Sequence, residues 1–384
     1  MPHGVAPLAA FAGLCAAGFV AANRPYRLPN LFVPAALLGG LLVWAALSAI
    51  WAIDPIRSLV LDLRLAGLFL TGLALLAAAD RIAAPRRLAL CLFAGAAIGI
   101  MLAGYDLTTD GGLTQHVSVR GFRPARLDQI AIGFAVLFLP AAAMLFSRGA
   151  TVAGLAAAGI AGAVVFLLDD ASAKAALVAS LPIAALLYWR PRIVARIAAA
   201  FCVLFILTAP LTLPQLERIP GLVAMADSYK NSAGHRLLIW SFTGEHITER
   251  PFLGWGLDAS RAIPGGNQEV RAGQNWLPLH PHDGPLQVWL ELGAPGAVLL
   301  ALFVGVLWLR LDRLPGPRIY VAAAGGSLTA ALAPLFAAYG IWQEWWIGTL
   351  ALTLFLITVM ARAAEPPDAA PTRPPRPGWR GGDR

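Results

Sequence analysis

Two histidines stand together where a long polar stretch meets an apolar run: His280-Pro281-His282-Asp283, followed by GPLQVWLELGAPG over 284–296. A neutral imidazole, with a pKa near ~6.5, accepts a proton at neutral pH. At a membrane surface that suits a general base acting on a hydroxyl. Metal binding is the rival use, but the H-x-H pair lacks a convincing third ligand, although Asp283 and Glu291 are near in sequence. A turn histidine bonded to a loop carbonyl is the bland alternative. Cationic groups fall into two further places. Arg120, Arg123 and Arg126 lie in 105–126 without enough acid to neutralise them, and Arg236 lies in SAGHRLLIWSFTGEHITERPFLGWG, 232–256. Guanidinium groups pair bidentately with phosphate and stabilise negative charge that develops on it. The plain reading of 232–256 is an interfacial amphipathic helix with Arg236 merely solvated, started by Asn231 or Ser232 and ended before Pro251.

The elements that must position these groups are membrane helices. Of 384 residues, 58% are hydrophobic and 13% charged; soluble domains carry about 25% charged residues. That imbalance excludes a soluble fold and, by its hydrophobicity, a disordered one. A bilayer core needs about 20 apolar residues per helix. Eleven runs qualify, at roughly 4–22, 30–50, 58–79, 87–104, 127–146, 150–168, 173–189, 193–211, 285–309, 319–338 and 342–361. The fold expected is all-α and polytopic, with about 11 (10–12) transmembrane helices in one integral-membrane domain over 1–361. A long outer loop, about 212–284, carries amphipathic helices. The tail 362–384 is rich in Pro and Arg and is expected to be disordered.

Every odd-numbered helix is followed by a basic segment, from Arg24 and Arg27 to Arg310, Arg313 and Arg318. By the positive-inside rule those segments are cytoplasmic, the N-terminus is outside and the tail inside. The net charge of +8 therefore follows topology and does not point to nucleic acid. An outward cluster at 120–126 opposes that rule, and an anionic ligand at the outer surface is one reason for it. Cys15, Cys91 and Cys202 are isolated in apolar runs and form no disulfide or metal pattern. The first apolar run has no basic leader and is expected to be a retained helix.

Other polar residues have structural readings first. Asp62 and Arg64, inside the third helix, are expected to pair with other helices. Asp169-Asp170 is expected to cap a loop rather than hold a metal. Trp342, Trp345 and Trp346 look like an interfacial belt, and Glu291 is a remote candidate for orienting His282.

Three segments together carry a resemblance: RGFRPARLDQIAIGFAVLFLP (120–140), GHRLLIWSFTGEHITERPFLGWG (234–256) with Pro-x-x-Gly-x-Gly, and HPHDGPLQVWLELGAPG (280–296). In order and spacing the chain resembles the O-antigen ligase family, which shares its membrane domain with the O-antigen polymerases. The resemblance implies inverting, metal-independent glycosyltransfer with no cofactor, at the outer, periplasmic face of the bacterial inner membrane. The donor it implies is a glycan on undecaprenyl diphosphate, and the acceptor a sugar hydroxyl on lipid A–core. It implies His282 as the catalytic base and Arg120, Arg123 and Arg236 as substrate-binding groups on the diphosphate. Lys174 stands where the family often has the arginine of Ser-Arg; it keeps the charge and loses the fork. Asp283 stands where the family often has Asn, and the chain has one helix fewer than the usual twelve.

Two other readings share parts of this pattern. An O-antigen or exopolysaccharide polymerase would use the same donor with a second lipid-linked glycan as acceptor. A transporter of lipid-linked glycan would want broken or polar helices at the bilayer midplane and an inverted repeat, and the sequence offers few midplane charges and no repeat.

Overall fold

In a computed structural model the described residues are 5–22, 31–79, 82, 85–117, 128–147 and 149–364. The eleven expected segments are all helices. They are α1 (Val5–Ala22), α2 (Phe32–Ser48), α3 (Pro55–Ala79), α4 (Pro85–Thr108), then, past the single turn α5 (Thr114–Val117), α6 (Asp128–Phe146), α7 (Thr151–Leu167), α8 (Ala171–Trp189) and α9 (Pro191–Thr212). The long loop holds α10 (Leu222–Tyr229) and α11 (Asn231–Glu249); α12 (Gly284–Arg310), α13 (Arg318–Leu335) and α14 (Glu344–Arg362) complete the set. Six of the helices are long and apolar enough to cross a membrane, and four shorter ones are strongly apolar. The chain is an all-α, multi-pass membrane protein. A two-stranded ribbon, Glu269–Arg271 with Gln274–Asn275, is the exception to helix among the described residues.

Large apolar side chains remain exposed along α3, α4 and α7, among them Leu63, Met101 and Leu155. Lipid is the solvent that makes such surfaces tolerable. The helices bury one large apolar cluster running from Leu41 to Met360. A smaller cluster, including Ile239, Ile247, Trp255, Ile263 and Leu290, seats the long loop on α9 and α12. Loops on alternate sides of the expected topology separate in space. The 49–54 turn meets the long loop (Ile53 N–H to Trp255 O, 3.4 Å), and Tyr339 meets Asp170. At the opposite end Arg192 faces Asp312.

The glycines of Pro251-x-x-Gly254-x-Gly256 and Glu291-Leu-Gly293 have one joint function. α12 is interrupted at Gly293 (φ 62°, ψ −161°), and Pro295 lacks an N–H. The break frees the carbonyls of Leu290, Glu291 and Leu292 and the amide of Ala294. Buried backbone groups must find other partners, and each does: Trp255 N–H to Leu290 O (2.9 Å), Gly256 N–H to Glu291 O (2.8 Å), Ala294 N–H to Pro251 O (2.9 Å), and Trp44 Nε1–H to Leu292 O (2.8 Å). A Cβ on Gly254 would sit 2.4 Å from Glu291 O, and one on Gly293 2.2 Å from Phe252 O. Gly293→Ala combines a left-handed backbone with that collision. It is expected to lose about 1–3 kcal/mol from the backbone conformation alone, read as a lower melting temperature in detergent.

Several details differ from expectation. Asn231 is the first residue of α11, and its cap position, Lys230, supplies no side-chain hydrogen bond. Trp342, Trp345 and Trp346 are buried and do not form a lipid-facing belt; aromatic stacking with Tyr339 and a bond from Trp342 to Glu291 turn them inward. Arg64 does pair with another helix, at Glu344 on α14 (3.2 Å). Asp62 does not: its Oδ1 is buried without a partner among the described residues.

Candidate functional site

His282 follows a proline and precedes a helix, so its backbone must turn sharply. It does so at φ 57°, in the left-handed region that costs a non-glycine residue free energy and is seldom kept without surrounding support. The support comes from His280. The His282 N–H donates to His280 Nδ1 (3.1 Å), and the two rings lie 4.3 Å apart. The Gln343 amide is 3.3 Å from His280 Nε2; with its oxygen turned to the ring it accepts the Nε2–H. His280 is thereby a fixed, neutral tautomer. Burial first, then neighbouring His282, Arg261 and Arg236, push its pKa down to about 3.

The His282 ring is itself oriented. Nδ1 lies 2.8 Å from Ala338 O, and a carbonyl can only accept, so Nδ1 carries the proton. Nε2 is left as the basic nitrogen. Burial lowers the His282 pKa most, the Ala338 bond opposes it, and Arg236 lowers it further. The ring is therefore neutral at neutral pH. The loop-carbonyl bond that the sequence set against a general base occupies one ring nitrogen only and leaves the other able to accept a proton.

Asp283 does not touch the ring. It is fully buried and caps α12, with Oδ1 accepting the Leu286 N–H at 2.7 Å. Burial raises its pKa well above the usual carboxylate range. Glu291 does not touch His282 either. Its carboxylate takes the Asp258 N–H (2.7 Å), Ser260 Oγ–H (2.5 Å), Gln287 Nε2–H (3.0 Å) and Trp342 Nε1–H (2.6 Å). It ties the long loop and the α13–α14 turn to α12.

Arg236, half-buried on α11, makes no ion pair with a described residue. Burial lowers its pKa, while Asp170 and Tyr339 act against that. Asp170 caps α8 through the Ser172 and Ala173 amides and accepts the Tyr339 hydroxyl at 2.9 Å. Lys174 lies in the first turn of that same helix. The α8 N-terminus, the α13–α14 turn and α11 thus converge beside His282. Asp170 caps a helix, where the sequence suggested a loop cap; among the described residues no three His, Cys, Asp or Glu side chains cluster as a metal site. Arg120 and Arg123 lie outside the described residues. The sequence does not mark His280 as the prop for His282, nor Ala338 and Tyr339, which lie 56 residues from His282 and 169 from Asp170 respectively and so leave no local signal.

Comparison with known proteins includes part of this region. Residues 156–301 match the family model described as O-Antigen ligase, a span that contains Lys174, Arg236, His282 and Glu291. A Rickettsia conorii protein named "Putative polysaccharide ligase" is 34% identical over 135 residues, covering 34% of this chain and 33% of that protein. Proteins of the same description from Rickettsia typhi and Rickettsia prowazekii are 28% and 27% identical. Those alignments each cover 85% of this chain, and 80% and 79% of the two relatives. The chain thus spans about a third of the length of the first relative and most of the length of the other two.

Proposed function

The chain carries the O-antigen ligase domain at 156–301, and from that premise we propose that it transfers a glycan from undecaprenyl diphosphate to a hydroxyl of lipid A–core. The reaction takes place at the periplasmic face of the inner membrane. The observation that carries this reading is the oriented, neutral His282, with Nδ1–H held by Ala338 O and Arg236 close enough to depress its pKa.

His282 Nε2 takes the proton of the acceptor hydroxyl as its oxygen attacks the anomeric carbon. The bond from that carbon to the diphosphate oxygen breaks on the opposite face, its electron pair leaving with the diphosphate, and the configuration inverts. Arg236 and Lys174, with Arg120 and Arg123 as further candidates, stabilise the charge gained by the departing group. A lipid diphosphate is already activated, so these residues need no cofactor for this chemistry.

The pH profile follows from the same contacts. Because burial and Arg236 hold His282 below its ordinary 6.5, its base form persists into mildly acidic solution. The acid limb of kcat/KM is expected below that value. An Arg236→Ala protein removes a depressing positive charge, so its limb should move to higher pH.

The test is a deletion strain rescued with wild type or with His282→Ala. Core-only lipopolysaccharide with polymer accumulating on the lipid carrier supports the ligase reading. Core carrying one repeat would make the protein a polymerase. An unchanged glycan pattern would remove lipid A–core as the acceptor.

A further inference from the structure

A cavity of about 530 Å³ opens beside His280, between α3, the 258–261 turn, the α13–α14 turn and the start of α14. Its size is that of a small-molecule site, which runs about 300–1,000 Å³. Three guanidinium groups line it, from Arg57, Arg64 and Arg261, against two carboxylates, Asp258 and Glu344. Asp258 is itself pinned by Glu291 through its amide. Its two oxygens take the Nε–H of Arg57 (2.5 Å) and of Arg261 (3.1 Å). Both arginines are therefore clamped by Nε alone, and their terminal amines bond no described residue. Two clamped guanidinium groups with unoccupied terminal amines suit the oxygens of a phosphate or carboxylate. Trp342 and Trp345 add flat apolar walls, and one atom of the Gln343 amide on the wall lacks a partner. Aromatic faces beside planar hydrogen-bonding groups suit a sugar ring, which has apolar C–H faces and a polar rim.

The lipid side of the cavity is also marked. Ile56, Leu59, Val60 and Leu63 of α3 are exposed apolar residues, and Arg64 sits between their level and Glu344 with most of its side chain open. A molecule with an anionic saccharide head and a lipid anchor could lie along α3 with its head in the cavity. His280 forms part of the wall and its ring lies 4.3 Å from that of His282, so that head would lie one imidazole away from His282.

We propose that this cavity binds the acceptor, as an anionic saccharide on a lipid anchor, with Arg57, Arg64 and Arg261 on its anionic group. The assignment rests on the glycan-transfer reading and adds the acceptor's charge, location and route of entry.

The test uses the full-length protein in detergent with purified lipid-linked donor. The acceptor is lipid A–core from the source bacterium, either intact, enzymatically dephosphorylated or carboxyl-reduced. Donor KM and acceptor KM are measured separately for wild type, for Arg57→Ala/Arg261→Ala and for Val60→Trp, which fills the cavity from an exposed helix position. Both variants should raise the acceptor KM at least tenfold and leave the donor KM in place. Wild type should lose at least tenfold in kcat/KM with one stripped acceptor, and which one identifies phosphate or carboxylate as the bound group. An unmoved acceptor KM in Val60→Trp, or equal use of all three acceptors, would overturn the cavity assignment, even if the double variant fails to fold. A His282→Ala protein that still transfers would overturn the base reading and leave these acceptor shifts standing, so the two failures are distinct.

Discussion

His282→Asn is expected to transfer glycan about 10²–10⁴-fold more slowly than wild type, the usual contribution of a positioned general base, with an unchanged donor KM. Asparagine is the sharper substitution because it tolerates the left-handed backbone at φ 57°, whereas alanine adds strain to lost chemistry. The side-chain amide can still donate to a carbonyl but has no nitrogen able to take a proton at neutral pH. His280 cannot substitute: its Nδ1 already accepts the 282 amide, and its pKa near 3 makes it a poor base. Transfer of labelled glycan between purified donor and acceptor, with a melting curve for each protein, measures both quantities. A folded His282→Asn protein with wild-type kcat would remove His282 from the chemistry. His280→Ala should show a different signature. It loses the prop beneath His282, whose N–H bonds His280 Nδ1, so kcat should fall although the base itself is still present.

The fold was legible because membrane helices announce themselves by length and apolarity. Each expected segment from 4–22 to 342–361 overlaps a helix, and the long loop runs from the end of α9 at Thr212 to the start of α12 at Gly284, as its composition implied. The polar cluster at 280–283 was legible for the same reason: polarity at a re-entry point contrasts with everything around it. What stayed hidden was direction. Asp283 could equally face the histidine or the helix amides, and the unsatisfied N–H of Leu286 decided it. Three tryptophans near a membrane edge suggest an interface, yet the Glu291 carboxylate needed a donor and Trp342 supplied one. Arg57 is the one basic residue of the stretch 51–57. Its partner, Asp258, is 201 residues away, and no periodicity or spacing links residues that meet only after the chain has crossed the membrane several times. Contacts of that range explain why the cavity beside His280 could not be named from the sequence.

Arg236→Ala should lower kcat by about 10²–10³-fold, the ~2.7–4 kcal/mol typical of removing one preorganised donor from developing negative charge. Arg57, Arg64, Arg192, Arg261 and Arg271 each face a carboxylate within 4 Å. Arg236 is half-buried and has no such partner among the described residues, although burying an unpaired cation is costly. Asp170, near enough to favour its charge, is committed to the α8 amides and to Tyr339. A site that holds a cation with its charge only partly answered is prepared for an anion that arrives later, and more so for one whose charge grows as a bond breaks. The loss should therefore fall mainly on kcat, with a smaller rise in donor KM. Arg236→Lys should recover only part of it, since an ammonium keeps the charge and loses the two-pronged geometry. It should keep the acid limb nearer that of wild type than Arg236→Ala does, because the positive charge beside His282 remains. Kinetics of the two variants across pH 5 to 8, about the range in which histidine titrates, separate charge from geometry. Equal rates for Arg236→Ala and wild type would place the diphosphate elsewhere, whereas an Arg236→Lys protein as active as wild type would show that charge alone is required.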